Sequence, residues 1–305
     1  MMVIKSGEQH MSEFTQQIIN GLALGSIYAL IALGYTMVYG IIKLINFAHG
    51  DVMMVGAYAG FFSISYFHTN LVVALIVSMI VCAVLGVIID RLAYKPLRKS
   101  SRIAALITAI GVSFLLEYVF VWVFTASSRS YTKNVINLKS YHFMANQVTL
   151  TGKDILIFSV TVFLMVLLQY IIKQTRIGKA MRAVSLDQEA ALLMGINVDR
   201  IISFTFAIGS ALAAAAGVLV GVYYNSIDPL MGIMPGIKAF VAAVLGGIGS
   251  IPGAVIGGYL LGTLESLVSG YGSSLYRDAV AFGVLILILL IKPTGIMGED
   301  TGEKV

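Results

Sequence analysis

Few residues of this 305-residue chain could do acid–base or ligand chemistry away from water. Glu117 is the one carboxylate well inside an apolar segment, and His49 and Asp51 lie close together in INFAHGD (45–51), with Asn46 beside them. Charged side chains are costly in hydrocarbon, so such residues face a protein interior or water. For Glu117, a structural contact and a functional group both remain open. The other three residues either cap neighbouring helices or contribute to a polar pathway or an inter-subunit contact.

No residue pattern in the sequence is typical of an enzyme's active site. The four histidines and the single cysteine show no spacing typical of metal ligands. The chain also lacks a GxxxxGK[ST] P-loop and a GxSxG motif in a position where a site could form. We therefore expect no metal and no cofactor. A membrane-embedded enzyme is the weakest interpretation, and any ATP that drives this protein must bind to another chain.

The composition is that of an integral membrane protein. Hydrophobic residues make up 58% of the chain and charged residues only 11%, with a mean hydropathy of +0.92. Soluble globular proteins carry about 25% charged residues. The chain therefore lacks the polar surface of a soluble globule, and we expect its surface to contact membrane lipid. The net charge is +5, and the basic residues concentrate in short loops. This pattern favours membrane orientation over nucleic-acid binding.

The apolar segments predict an all-α polytopic membrane protein with eight or nine transmembrane helices. Most segments approach the ~20 residues that a helix needs to cross a bilayer. The predicted segments are 18–42, 52–66, 71–92, 103–124, 154–172, 201–224, 236–250, 252–269 and 277–291. Met11 resembles a natural start, so we predict an N-terminal extension of unknown role over 1–10, followed by one transmembrane domain over 11–305.

A glycine-rich interruption, GGIGSIPG (246–253), divides the penultimate apolar stretch and contains Gly246, Gly247 and Gly249. It does not follow a strand, so a phosphate-binding loop is not expected. One interpretation is a helix break that brings two helices into close contact. The other is a re-entrant or discontinuous element that lines a translocation path, where non-helical backbone is tolerated because protein or water covers it.

Two polar features lie beside the apolar segments. Residues 125–153 form a long polar loop that we place outside the cell, and the alternation within 147–151 predicts a small strand pair. Glu265 lies near the end of its apolar segment, where it either pairs with Arg277 or faces water.

The loop 173–200 is predicted to lie in the cytoplasm, because it carries five basic residues against three acidic ones. Its middle predicts a short helix over 188–194. Asp187 is suited to cap the start of that helix, and Gly195 with Asn197 can end it.

Within this loop, Glu189, Ala190 and Ala191, followed by Gly195, resemble the EAA-loop signature of ABC importer permeases. The resemblance implies a coupling helix that docks into a groove of an ATPase subunit. Small residues allow close approach, a charge fixes the register and a glycine turns the chain back towards the membrane. An ordinary amphipathic connector helix is the alternative interpretation.

Several longer motifs resemble the branched-chain amino acid ABC transporter permease family, and together they cover nearly the whole chain from Met11. They are NGLALGSIYALIALGYTMVYGIIKLINFAHGD (20–51), RLAYKPLR (91–98), RIGKAMRAVSLDQEAALLMGIN (176–197), FAIGSALAAAAGVLVG (206–221), FVAAVLGGIGSIPGAVIGG (240–258) and KPTGIMG (292–298).

This resemblance implies the remaining expectations. A multi-pass subunit of the bacterial inner membrane would pair with a second, homologous permease and with two cytoplasmic ABC ATPases. A periplasmic or lipid-anchored binding protein would deliver leucine, isoleucine or valine. The coupling residues would be Asp187, Glu189, Ala190, Ala191 and Gly195. Two alternatives remain open: an ABC permease for another small cargo, such as urea or other amino acids, and a secondary transporter in which Glu117 is the ion-coupling group.

Overall fold

The structure is a computed structural model that describes residues 2–98, 100–131, 139–144 and 147–298. Within these residues it contains long apolar helices and one small sheet. The elements are α1 (Met2–Ile42), α2 (His49–Phe67), α3 (Leu71–Ile89), α4 (Arg102–Phe124), β1 (Ser140–Phe143), β2 (Val148–Thr151), α5 (Gly152–Gln174), α6 (Arg176–Leu186), α7 (Gln188–Leu193), α8 (Val198–Tyr224), α9 (Ile233–Gly246), α10 (Ile251–Tyr271) and α11 (Arg277–Ile291). A π-helical turn, Asp90–Tyr94, and a 3-10 turn, Lys95–Leu97, follow α3, and a second 3-10 turn, Ser274–Tyr276, precedes α11.

Seven helical stretches in the described part of the chain are long and apolar enough to cross a membrane. The prediction of an all-α polytopic membrane protein is confirmed. The number of eight or nine spans stays a prediction, because two further apolar helices are shorter or less apolar. These helices are α2, with 19 residues, and α9, with 14 residues.

The helix boundaries follow the apolar segments closely, with one large difference at the start of the chain. Helix α1 begins at Met2 rather than near residue 18, so the described part of the predicted extension continues the first helix. The role of that extension stays a prediction. The predicted strand pair is confirmed, since β1 and β2 pair antiparallel with Tyr141 opposite Leu150. Parts of the predicted outer loop, 132–138 and 145–146, lie outside the described residues.

Helices α1 and α8 form the centre of the molecule, and glycines let neighbouring helices approach them. Gly21 and Gly25 of α1 contact the backbone of α10 at Thr263 and Tyr259. The contacts run in opposite chain directions, so α1 and α10 are antiparallel. Close approach through small residues is how membrane helices gain van der Waals contact without a hydrophobic driving force. By contrast, few residues of α4 and α11 are buried.

The glycine-rich interruption ends α9 and turns the chain back into α10. Gly247 and Gly249 have positive φ angles of 105° and 100°, which residues with side chains rarely adopt. The Ser250 hydroxyl accepts from the backbone N–H of Gly253 to cap α10. The backbone N–H groups of Ile296 and Met297 each donate to a carbonyl at the end of α9, over 2.9 Å. The C-terminal segment therefore satisfies two carbonyls at the break, whereas Gly249 and Pro252 stay exposed.

Candidate functional site

Helix α6 joins the last turn of α5 to the predicted coupling helix. The Thr175 hydroxyl caps it by accepting from the Gly178 N–H over 3.0 Å. Gly178, Met181 and Val184 are buried, so this face packs on the rest of the protein. Our sequence reasoning did not predict α6. The three-residue spacing of these buried positions was the signal that could have found it.

The short helix α7 confirms the prediction for the middle of the loop. The Asp187 carboxylate accepts from the backbone N–H groups of Glu189 and Ala190 over 2.9 and 3.0 Å. Gly195, with a φ angle of 82°, follows the helix, and the N–H of Ile196 donates to the carbonyl of Ala191 over 3.0 Å. Asp187 therefore fixes the direction of α7 relative to α6, and the glycine turns the chain towards α8.

The exposed surface of this segment contains a cluster of apolar side chains beside polar ones. Glu189 and Ala190 are exposed, and Glu189 forms no ion pair with any described residue, whereas Ala191 is buried against its own chain. Four large side chains form what we call the apolar tip, with exposed fractions from 63% to 88%: Leu186, Leu192, Leu193 and Met194. Our sequence reasoning selected the glutamate and alanines and missed this tip, although LLM follows them directly.

An ionic junction ties the start of α8 to the turn after α3. The Arg98 guanidinium donates to Asp199 over 2.6 Å and to Asp90 over 2.5 Å. Asp90 is fully buried and also accepts from the Ser203 hydroxyl over 2.6 Å. Lys95 forms a half-exposed pair with Asp199 over 2.7 Å. The junction therefore connects the start of α8 to the turn between α3 and α4.

None of Asn46, His49 and Asp51 caps the start of α2. The residue that precedes α2 is Ala48, and no side chain caps the helix there. Asn46 instead accepts from the Tyr94 hydroxyl over 3.0 Å. His49 is buried against Tyr35, with ring centroids 4.7 Å apart, and its Nε2 atom has no partner among the described residues. These residues point into the helix bundle because the chain re-enters it after α1.

Asp51 and Glu117 lie together in the bundle. Asp51 accepts from the Ser113 hydroxyl, and the Glu117 carboxyl lies near Asp51. Both carboxyls are buried, so Glu117 faces protein rather than lipid, as expected for an ionisable group in a membrane helix. The described residues contain no group of three or more His, Cys, Asp or Glu that could hold a metal ion.

Glu265 lies at the centre of a buried ion group that joins four helices. Its Oε2 atom accepts from Lys238 over 3.0 Å, from Arg277 over 3.1 Å and from the Tyr28 hydroxyl over 3.0 Å. Lys238 also pairs with Asp278 over 2.7 Å. The sequence left two expectations open for Glu265. The pairing with Arg277 is confirmed, and contact with water is wrong because Glu265 is fully buried. Lys238 was missed, since a single lysine in an apolar segment does not reveal its partner.

Comparison of the sequence with known proteins matches the chain repeatedly to one family of transport permeases. Residues 17–289 match the family described as branched-chain amino acid transport system / permease component. The chain is 48% identical over 307 residues to the high-affinity branched-chain amino acid transport system permease protein LivH of Escherichia coli K12, covering 96% of this chain and 98% of that protein. It is 46% identical over 305 residues to BraD of Pseudomonas aeruginosa, which has the same description, with the same coverage. A probable LivH of Methanocaldococcus jannaschii is 32% identical over 297 residues and 93% of each chain.

Proposed function

Because the chain belongs to the family of branched-chain amino acid transport permeases, we propose that it is the permease subunit of an ATP-binding-cassette importer. Its cargo is leucine, isoleucine and valine, which it moves across the bacterial inner membrane into the cytoplasm. Relatives at 46–48% identity over nearly the whole chain carry this transport in their descriptions, which supports the cargo.

The apolar tip is the observation that supports our proposal that ATP is hydrolysed on separate subunits. Leu193 is 88% exposed and Met194 is 81% exposed, on a loop whose charge pattern predicts a cytoplasmic location. A cluster of large apolar side chains on a surface that faces water is typical of a protein–protein contact. Since Asp187 holds α7 in one orientation, the tip suits insertion into a groove of a rigid partner. The partner we propose is a cytoplasmic ABC ATPase.

The full assembly that we propose contains two homologous permeases, two ATPases and a binding protein that delivers the amino acid. ATP-dependent closure of the ATPases moves α7, and α5 and α8 transmit this motion on either side. ATP-bound and ATP-free ATPases must contact α7 differently, because only a differential interaction can shift the permease between states. The predicted pathway residues remain predictions, and they are Asn46, His49, Asp51, Glu117, Gly246, Gly247 and Gly249.

The test is uptake of radiolabelled leucine by proteoliposomes that contain the complex purified from its native membrane. Uptake that requires both ATP and the binding protein supports the proposal, and partner subunits identified by mass would establish the assembly. Leu193→Asp should abolish ATPase association by placing a charge in the groove. Leu275→Asp, an exposed leucine in the turn before α11, should leave association unchanged. Leucine uptake by the chain alone, driven by a proton gradient, would overturn the proposal in favour of a secondary transporter.

A further inference from the structure

A groove of about 230 Å³ lies between the end of α1, the linker that follows it and the first turns of α4. Four apolar side chains, one aromatic side chain and one basic side chain line it: Leu44, Ile45, Ala105, Leu106, Tyr39 and Lys43. Lys43 is exposed, and Leu106 is 41% exposed. A ligand can therefore reach both the cation and the apolar wall without any movement of the helices.

The groove lies at the predicted cytoplasmic boundary of the membrane. The Gln188 side chain of α7 donates to the Ile41 carbonyl at the end of α1 over 3.2 Å. The basic loop that contains Gln188 is predicted to lie in the cytoplasm. Lys43 follows Ile41 closely in the chain, so its ammonium group lies at the level of the lipid headgroups of the cytoplasmic leaflet.

Lys43 brings a positive charge to the rim of this groove. It forms no ion pair with any carboxylate among the described residues, and its Nζ atom lies 5.8 Å from the centre of the Tyr39 ring. Arg91 is a second exposed cation, in the turn that the Tyr94 hydroxyl joins to Asn46 over 3.0 Å. Tyrosines and basic residues are typical of the boundary between membrane and cytoplasm. Lys43 is therefore suited to an anion from outside the chain.

The apolar wall continues along α4 towards the middle of the membrane. Leu106 and Ile110 lie one helical turn apart and are 41% and 38% exposed. Beside Ile110, the surface of α4 at Gly111 is open, since nothing in the described part of the chain outside this helix lies within 4 Å of the position that a Cβ atom would take. A hydrocarbon chain that starts at the groove can therefore stay in apolar contact with α4.

The combination of a cation with an apolar wall discriminates between possible occupants. A free phosphate could bind Lys43, but it would leave the apolar side chains of the groove unused. A second protein would have to place a carboxylate against Lys43, and lysine is depleted in the buried centres of protein interfaces. An anionic phospholipid matches both parts of the groove. Basic pockets between membrane helices on the cytoplasmic side bind the headgroups of such lipids.

We propose that this groove binds one anionic phospholipid of the cytoplasmic leaflet, with its phosphate at Lys43 and the start of one acyl chain against Leu44, Ile45 and Leu106. The inference is independent of the cargo and adds a lipid as a specific partner of the permease. The lipid contacts α1 and α4 together. Because few residues of α4 are buried, this contact stabilises the position of α4 beside the end of α1.

The experiment is titration of the purified complex in detergent with defined lipids, followed by mass spectrometry of the intact assembly. Phosphatidylglycerol is the anionic probe. Phosphatidylcholine with the same acyl chains tests the need for net negative charge, and glycerol 3-phosphate tests whether a phosphate without chains is enough. We expect phosphatidylglycerol to bind saturably and more tightly than phosphatidylcholine, and we expect glycerol 3-phosphate not to displace it.

Variants separate the groove from other lipid contacts of the complex. Lys43→Gln should weaken phosphatidylglycerol binding about fivefold, the typical effect of one lysine near anionic headgroups, whereas Lys43→Arg should retain it. Leu106→Trp should weaken binding by filling the groove. The matched controls are Lys173→Gln, at an exposed lysine near the end of α5, and Leu115→Trp, at an exposed leucine of α4 outside the groove. Thermal unfolding of each variant without added lipid checks that it is folded.

Three results would overturn the lipid site. The first is equal affinity of the wild type for phosphatidylglycerol and phosphatidylcholine, or displacement of the lipid by glycerol 3-phosphate. The second is equal loss of binding in the variants and in their controls, because the effect would then not be specific to the groove. The third is unchanged lipid binding by a folded Lys43→Gln complex that has lost its second permease, which would show that a protein covers the groove.

Discussion

At the residue scale, the buried charges near the start of α11 form a balanced group. Lys238 and Arg277 carry two positive charges, and Glu265 and Asp278 carry two negative ones. Glu265 is fully buried, so its charge depends on these partners. Replacing a whole buried ion group by apolar residues is often neutral, whereas removing a single partner leaves an uncompensated charge.

Lys238→Met should therefore lower the free energy of unfolding, by about 3 kcal/mol if the loss is typical of a broken buried pair. Adding Glu265→Gln should restore part of the loss, because the group is neutral again. Thermal unfolding of the purified protein in detergent measures both effects as a double-mutant cycle. Lys179→Met, at an exposed lysine with no ion pair in the described chain, is the control and should have little effect. A double variant less stable than Lys238→Met would contradict the charge-balance argument.

Glu189→Lys should reduce ATP-dependent uptake at least about tenfold while leaving membrane insertion intact. Glu189 is exposed beside the apolar tip, and reversing a charge at a protein interface typically costs several kcal/mol. Uptake is normalised to the amount of permease in the membrane fraction. Glu13→Lys, at an exposed glutamate in α1, is the matched charge reversal and should keep uptake. Normal uptake by Glu189→Lys at equal expression would show that Glu189 is not part of the coupling surface.

At the element scale, α6 and α7 form an arm that leaves the membrane region at α5 and returns at α8. Different kinds of contact attach the two ends of the arm to the rest of the protein. Thr175 and the buried face of α6 hold the first end, and the ionic junction around Arg98 holds the second. The second end of the arm is therefore joined to the α3–α4 turn by charged contacts and also by packing, since the rings of Tyr94 and Phe206 have centroids 5.1 Å apart.

The two basic residues of the junction should differ strongly in their effect on stability. Arg98→Gln leaves Asp90 buried without a cation, which typically costs about 3–5 kcal/mol. Lys95→Gln removes a half-exposed pair, which is worth about 0–1 kcal/mol. Thermal unfolding of the two variants, measured side by side, checks this order. Equal destabilisation would show that Asp90 finds another partner and that the junction does not depend on Arg98.

The elements were largely predictable from the sequence because their signals are local. Helix α11 begins and ends where the apolar segment 277–291 does, and the Asp187 cap lies next to the helix that it begins. The missed features depend on contacts between distant parts of the chain. Lys238 has partners on α10 and α11, and the burial of Ala191 beside the exposed Leu192 depends on how α7 packs. Apolar periodicity shows which residues avoid water but not which surface a partner must cover.

At the scale of the whole molecule, the apolar tip and the turn before α11 should lie on opposite sides of the membrane. The basic loop predicts that the tip is cytoplasmic. The Gln188 side chain of the arm donates to the Ile41 carbonyl at the end of α1 over 3.2 Å. Helix α10 runs antiparallel to α1, so α10 carries the chain away from the arm. Tyr271 and the turn that follows it therefore lie on the opposite face.

Cysteine labelling checks this orientation directly. Leu193→Cys should react with a membrane-impermeant maleimide only from the cytoplasmic side, and Leu275→Cys only from the outside, since the native leucines are 88% and 85% exposed. The native Cys82 is fully buried, so the unmodified protein is the control and should stay unlabelled. Labelling of Leu193→Cys from outside would reverse the orientation of the entire chain.

The segment that covers the end of α9 is synthesised long after α9 itself. While the ribosome is still extending α10 and α11, the carbonyl groups of Leu245 and Gly246 lack the partners that Ile296 and Met297 later supply. Unpaired carbonyls in lipid are costly, so the glycine-rich turn must stay near water or another protein during insertion. The bundle is therefore completed only after translation has passed residue 297.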